Sequence, residues 1–141
     1  MRAVVEVQDM AALAALHQAC FSRPWNRQSF ASLLAHDNRA ALGVWGADGL
    51  DGFIALQHAA DEAEILTLAV AAPARRSGLA TQLLAAAANW LGQYGVQHWH
   101  LEVAADNRAA LALYKTHGFA EIGRRAGYYE NVDAVLMQRD L

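Results

Sequence analysis

Apolar and polar residues repeat with two alternating periods along this chain, and each change of period marks a new element. Ala3 to Val7 is a short apolar run that predicts a first strand. Met10, Leu13, Leu16 and Ala19/Cys20 then recur at helical spacing, which predicts a helix to about Cys20 with Asp9 as its N-cap. Ser22-Arg23-Pro24-Trp25-Asn26 interrupts the pattern, and Asn26 caps a second helix carrying Phe30, Leu33 and Leu34. That helix ends at Asp37-Asn38. Ala40 to Trp45 and Gly52 to Gln57 read as a hairpin about Ala47-Asp48-Gly49, and Asp61-Glu62 turns the chain into a strand from Glu64 to Val70.

The second half alternates in the same way. Leu79, Leu83, Ala86/Ala87, Trp90 and Leu91 form one helical stripe with Gln82 and Asn89 opposite, and Gly92 to Gly95 is the stop. Val96 to Val103 has period two: Trp99, Leu101 and Val103 share one face, His98, His100 and Glu102 the other. Asp106 is the expected cap of a short helix from Asn107 to His117, closed by Gly118. Phe119 to Arg125 and Asp133 to Arg139 complete the strands, joined by Tyr128-Tyr129-Glu130-Asn131. The order β-α-α-β-β-β-α-β-α-β-β predicts an α/β (α+β) fold, a mixed sheet with helices on both sides. No repeat or linker divides the 141 residues, so one domain, 1–141, is expected.

One junction stands apart. The run Ile65 to Val70 ends at small residues and Pro73, which cannot continue a ladder; Arg75-Arg76-Ser77-Gly78 follow, and a helix opens. The free N–H groups of a first helical turn and the helix dipole favour an anion there, and Gly78 lets it approach the backbone. Arg75 and Arg76 can add charge-assisted hydrogen bonds. A Walker loop would place Lys and then Ser or Thr where Leu79-Ala80 stands, and a dinucleotide fingerprint would need three glycines. The strand–helix–strand unit Glu64 to Val103 should be right-handed and parallel, and it brings this loop and Glu102 to strand ends, where open sheets bind ligands.

Composition narrows the setting. Apolar residues are 55% and charged ones 18%, a globular balance, and a net charge of −3 argues against broad nucleic-acid affinity. The single cysteine, Cys20, allows no internal disulfide and reads as a small buried hydrophobe before it reads as a nucleophile. No apolar run approaches the roughly 18 residues of a membrane span, and the N-terminus lacks a signal peptide's features; a cytoplasmic location without membrane partners is expected.

The spacing Arg75-x-x-Gly78-x-Ala80 after a strand resembles the acetyl-coenzyme A pyrophosphate loop of the GNAT acetyltransferases. Glu102-Val-Ala-Ala-Asp106-Asn107, Ala-Leu-Tyr114 and Gly118-Phe119 resemble their second cofactor motif. With Pro24-Trp25, the Thr-Leu-Ala-Val strand and Arg124-Arg125-Ala-Gly-Tyr128-Tyr129, the pattern is most similar to the ribosomal-protein-alanine N-acetyltransferase (RimI) family, over essentially the whole chain. Two local departures are Ala80, where many relatives have Gly, and Val132-Asp133, where an acidic pair is common.

The resemblance implies acetyl-CoA as cosubstrate, with no metal, and a protein N-terminus as acceptor: the N-terminal alanine of the eighteenth small-subunit ribosomal protein. No direct nucleic-acid contact is expected, and a monomer is expected with an oligomer left open. Arg75, Arg76, Ser77, Gly78, Leu79, Ala80 and Thr81 would hold the pyrophosphate. The sheet would splay beside Leu68, Ala69 and Val70, whose backbone amides would pair with the pantetheine and polarise the acetyl carbonyl.

Acyl transfer to an amine needs one proton removed from the ammonium and one returned to the leaving thiolate. Glu102 is the candidate base and Tyr114 the candidate acid. Asn107 and Tyr114 lie two helical turns apart, about 10 Å, on one face, so Asn107 can hold the pantetheine arm or merely support the helix start. A carboxylate base serves an α-amine, of pKa about 8, more readily than a lysine, of about 10.4. Trp25 would position a substrate loop. Tyr128 and Tyr129 would line the peptide groove or simply pack the last hairpin. His98 and His100 could suggest a metal but lack a third ligand at useful spacing. A lysine or small-amine acetyltransferase and a non-catalytic acetyl-CoA-binding module are the competing readings.

Overall fold

The computed structural model describes residues 2–141. Among them run β1 (Val5–Glu6), α1 (Met10–Cys20), α2 (Arg27–Leu34), β2 (Arg39–Gly46), β3 (Gly49–Ala59) and β4 (Glu62–Val70). A single 3-10 turn (Ala72–Ala74) leads into α3 (Leu79–Gly92), β5 (His98–Ala104), α4 (Arg108–Thr116), β6 (Ala120–Tyr129) and β7 (Val132–Asp140). This is an α+β arrangement in the expected element order. The seven strands form one sheet, β1-β2-β3-β4-β5-β7-β6, in which β4 and β5 are the parallel pair.

Local chemistry accounts for most of the boundaries. Asp9 and Asn26 accept hydrogen bonds from the N–H groups of Ala12 (3.0 Å) and Ser29 (2.9 Å), closing the N-termini of α1 and α2 as expected. Pro73 sits in the first turn of the 3-10 segment, where its missing N–H costs nothing. β1 is shorter than expected: Val5 and Glu6 pair in register with Gly43 and Leu42 of β2, and Val7 adds a single bond from its N–H to Ala41 O. The last hairpin is longer. Tyr128 and Tyr129 lie in β6 rather than in the connection, and the turn contracts to Glu130 and Asn131, both at positive φ. β6 runs past the expected end at Arg125 through Gly127, and register shifts at Glu121/Gly123 and Arg125/Tyr129 absorb the irregularity, as edge strands commonly do.

Helices cover the sheet unequally. On one face α3 and α4 close over Ile65, Trp99, Leu101 and Val103, with Leu79, Leu83, Leu84, Ala87 and Leu91 of α3 all buried. Each such leucine contributes about 1.5–3 kcal/mol relative to exposure. Gly52 lets α3 settle closely: a Cβ there would lie 3.0 Å from Leu79 Cδ2 and 3.2 Å from Leu83 Cδ1. On the other face α1 and α2 pack Leu13, Leu16, Phe30 and Leu33 over Ala41, Phe53, Ala55 and Ala69.

The functional geometry follows from one irregularity. Between Leu56↔Ile65 and Ala55↔Thr67 the ladder slips, leaving Leu66 as an extra residue on β4. A bulge bends its strand and increases the local twist. β4 and β5 pair only at Glu62↔His98, Ala63↔Trp99 and Glu64↔His100, and beyond those positions they part.

Candidate active site

The parting of β4 and β5 opens a cleft of about 760 Å³ that runs through the sheet. Leu66 to Val70 form one wall, and Leu101 to Ala104 form the other. Asn107, Ala110, Leu113 and Tyr114 of α4 close one side. The α1–α2 connection contributes Phe21, Ser22, Arg23 and Trp25, and Tyr129 reaches in from β6.

The register decides which backbone groups face the gap. Ala71 N–H donates to Asp51 O, and β3 pairs Phe53 with Ala69 and Gly52 with Val70. Antiparallel ladders alternate, so Ala69 turns its amide toward β3 while Leu68 and Val70 turn theirs into the cleft. Ala69 is therefore removed from the expected amide set. Its side chain belongs to the core under α1, where it is 2% exposed.

The N-terminus of α3 meets the requirement for an anion site. Gly78 is its N-cap at φ +81°, a left-handed conformation that non-glycine residues rarely adopt. Among the described residues, the N–H groups of Leu79, Ala80 and Thr81 have no backbone acceptor, and the first intrahelical bond is from Gln82 N–H to Gly78 O. The Leu79 side chain is buried, so only its amide is available to a ligand. The neighbouring side chains are less committed to the loop than the sequence suggests. Arg75 Nε donates to Val70 O (3.0 Å), the Ser77 hydroxyl donates to Ala74 O, and Thr81 Oγ1 lies 3.0 Å from His117 Nε2. Arg76 is exposed at φ +63°.

Gly78→Val is expected to weaken binding of the anionic cosubstrate about tenfold, since a branched residue in the left-handed region costs roughly 1–2 kcal/mol and crowds the approach. A Cβ at Gly78 meets nothing within 4 Å, so the effect must come from backbone geometry and the incoming ligand. Calorimetry with coenzyme A measures it; an unchanged dissociation constant would remove Gly78 from the site.

Asn107, not Asp106, caps α4: its Oδ1 accepts from Ala110 N–H at 3.2 Å. Either residue type makes a good cap, and the helix begins one residue later than expected. The Asn107 side-chain amide nitrogen remains free to donate. Tyr114 is 7% exposed, packs edge-on against Phe119 at 5.6 Å, and points at the cleft; burial pushes its phenol up to about 12. Glu102 sits on the sheet face opposite Trp99, a quarter exposed, and forms a 3.1 Å ion pair with Arg125. Tyr129 lines the cleft, and its phenol is raised by burial first and by the Glu102 charge second. Tyr128 does not line it. Its ring is exposed against Tyr129 and beneath the Arg125 guanidinium.

Trp25 is half-buried, stacked at 5.0 Å on His17, a residue the sequence reading passed over. His17 is 3% exposed and lies on the buried side of α1 with Leu13 and Leu16. A polar residue at a core position of a helical stripe was the available signal.

His98 and His100 both take carboxylates. His98 Nδ1 lies 2.9 Å from Asp140, and His100 Nε2 lies 3.3 Å from Glu62. The hydrogen bond to Asp140 raises the His98 value and lowers that of Asp140. Their contribution to stability is full above about pH 4, where Asp140 is charged in either state, and below about pH 6.5, where His98 is protonated in either state. It fades as pH rises through the raised His98 value. A His98→Gln protein should therefore melt below the parent near pH 5.5, and the gap should shrink toward about pH 9. Calorimetric melting at both pH values checks the sign.

The sequence profile of the Acetyltransferase (GNAT) family matches residues 10–119. The chain belongs to that family. It is 32% identical over 129 residues to the [ribosomal protein bS18]-alanine N-acetyltransferase of Escherichia coli K12, covering 92% of this chain and 86% of that protein. It is also 33% identical over 123 residues to an uncharacterised Mycobacterium leprae protein, of whose length the match spans only 33%. The crystal structure of the E. coli ribosomal-protein-S18-alanine N-acetyltransferase superposes with a TM-score of 0.91 at 29% identity, covering 99% of this chain and 94% of that one. Ard1 from Thermoplasma volcanium shares the fold, with a TM-score of 0.86 at 24% identity and coverage of 99% and 97%. Among the described residues no helix is long and apolar enough to cross a membrane.

Proposed function

We propose that this chain, acting as one cytoplasmic domain, transfers the acetyl group of acetyl-CoA to a protein N-terminal α-amine. The first candidate acceptor is the N-terminal alanine of ribosomal protein bS18, the substrate named for the E. coli relative. One observation carries the reading: a cleft between parted strands has a free helix N-terminus at its mouth and Glu102 and Tyr114 on its walls.

In this reading the pyrophosphate takes the amides of Leu79, Ala80 and Thr81, with Arg75 and Arg76 adding charge and Ser77 shaping the loop. The pantetheine continues the sheet along Leu68 and Val70, beside the Asn107 amide. Their N–H groups are also placed to polarise the thioester carbonyl. Glu102, directly or through water, accepts a proton from the acceptor ammonium. The neutral amine attacks the acetyl carbon, the new C–N bond forms, and the C–S bond breaks. Tyr114 donates its proton to the departing sulfur. The attacking nitrogen releases its second proton as the amide forms, which restores the phenol. Trp25 and Tyr129 flank the acceptor's path, and Tyr128 supports Arg125 from outside.

A peptide panel tests the function. Ala-started peptides should be acetylated in preference to Met- and Ser-started ones, and a peptide whose only free amine is on lysine should be poor. Preference for the lysine peptide would replace the N-terminal reading. Cofactor binding without turnover of any amine would leave a binding module.

A further inference from the structure

Both nitrogens of a buried imidazole are committed at the centre of the acceptor wall. His17 Nδ1 accepts the backbone N–H of Trp25 at 2.9 Å, so that nitrogen carries no proton. The proton therefore sits on Nε2, which donates to Thr67 Oγ1 at 3.1 Å. Phe21 stacks on the ring at 4.2 Å and Trp25 at 5.0 Å, and Phe30 meets it edge-on at 5.6 Å. Burial drives the imidazole down to about 4, so it stays neutral under ordinary conditions. A leucine would fill this space without desolvating two nitrogens. What the histidine adds is direction. Trp25 belongs to the α1–α2 connection that lines the cleft, and Thr67 directly follows the bulged Leu66 that turns β4 away from β5.

We propose that His17 is a positioning residue for the acceptor: its neutral ring ties the Phe21–Trp25 loop to Thr67, so that the loop facing the acceptor and the strand beside the thioester hold one fixed separation. The proposal rests on the N-acetyltransferase reading above. It concerns the spacing between the acceptor loop and β4 and not the anion site, whose amides lie on α3.

The test compares His17→Phe, which keeps an aromatic ring but loses both bonds, with His17→Asn and Thr67→Val. Asn Oδ1 falls near the position of Nδ1 and can still accept the Trp25 N–H; Thr67→Val removes only the partner of Nε2. With acetyl-CoA and an Ala-started peptide, His17→Phe should raise the peptide KM about tenfold, the size expected from losing buried hydrogen bonds. His17→Asn should recover much of that, and Thr67→Val should fall between. The dissociation constant for coenzyme A, by calorimetry, should stay within about twofold in all three. A merely structural role would lower Tm without separating the two substrates, and phenylalanine would then serve better than asparagine. If His17→Phe does not fold, Thr67→Val alone decides: an unchanged peptide KM overturns the proposal. Should the parent acetylate no amine at all, the functional reading fails separately. Hydrogen exchange at the Trp25 amide still reports the tie, being faster in His17→Asn than in the parent only slightly and in His17→Phe markedly; equal rates in all three would overturn it.

Discussion

A Tyr114→Phe protein is expected to lose about 10²- to 10³-fold in kcat, with its coenzyme A affinity within about twofold of the parent. The substitution removes one O–H from a ring whose packing against Phe119 phenylalanine can reproduce. The size of the loss follows from the proton balance. A phenol held near 12 is a weak acid beside a thiolate of ordinary pKa about 8.5, a mismatch of more than three units. The burial that raises the phenol also acts on a thiolate expelled into the same cleft, and desolvation raises its pKa too. The gap narrows, and the proton is shared as the C–S bond breaks. Release of free thiol, followed at saturating substrates, measures kcat. A loss below about threefold would remove Tyr114 from the reaction.

Glu102→Gln is the second large effect, a fall of about 10²-fold in kcat/KM for the peptide at pH 6.5. Glutamine keeps the shape but cannot accept the ammonium proton. The pH dependence separates a base from a general electrostatic role. An α-amine of pKa about 8 is mostly neutral by pH 9 and no longer needs deprotonation, so the deficit should narrow there several-fold. A deficit constant from pH 6.5 to pH 9 would show that Glu102 acts by charge alone. The change also leaves Arg125 without its carboxylate, but that pair is substantially exposed on the arginine side and should cost little stability.

Periodicity made the frame of this fold readable. The alternation of His98 to Val103 assigned Trp99, Leu101 and Val103 to the core and Glu102 to the open face, and the sheet keeps that assignment. Asp9 and Asn26 were legible because an N-cap is a local choice, made by one side chain and an amide three residues on. The failures arise where partners come from far along the chain. β1 contracts because its length depends on β2, and β6 runs on past Arg125 through Gly127 because β7 accommodates the shift. The orientation of the Ala69 amide depends on the β3 register, which no pattern within β4 reveals. The loop residues Phe21 to Arg23 reach the cleft only once the α1–α2 connection has folded over β4. His17 was visible as a polar interruption of an apolar stripe, but its partners, Trp25 and Thr67, are a tertiary fact.

A crystal structure with coenzyme A bound would test the central geometry most directly. The account predicts the diphosphate on the amides of Leu79 to Thr81, the pantetheine along Leu68 and Val70, and the sulfur within about 4 Å of the Tyr114 hydroxyl. A sulfur lying outside the gap between β4 and β5, away from both Tyr114 and Glu102, would contradict it.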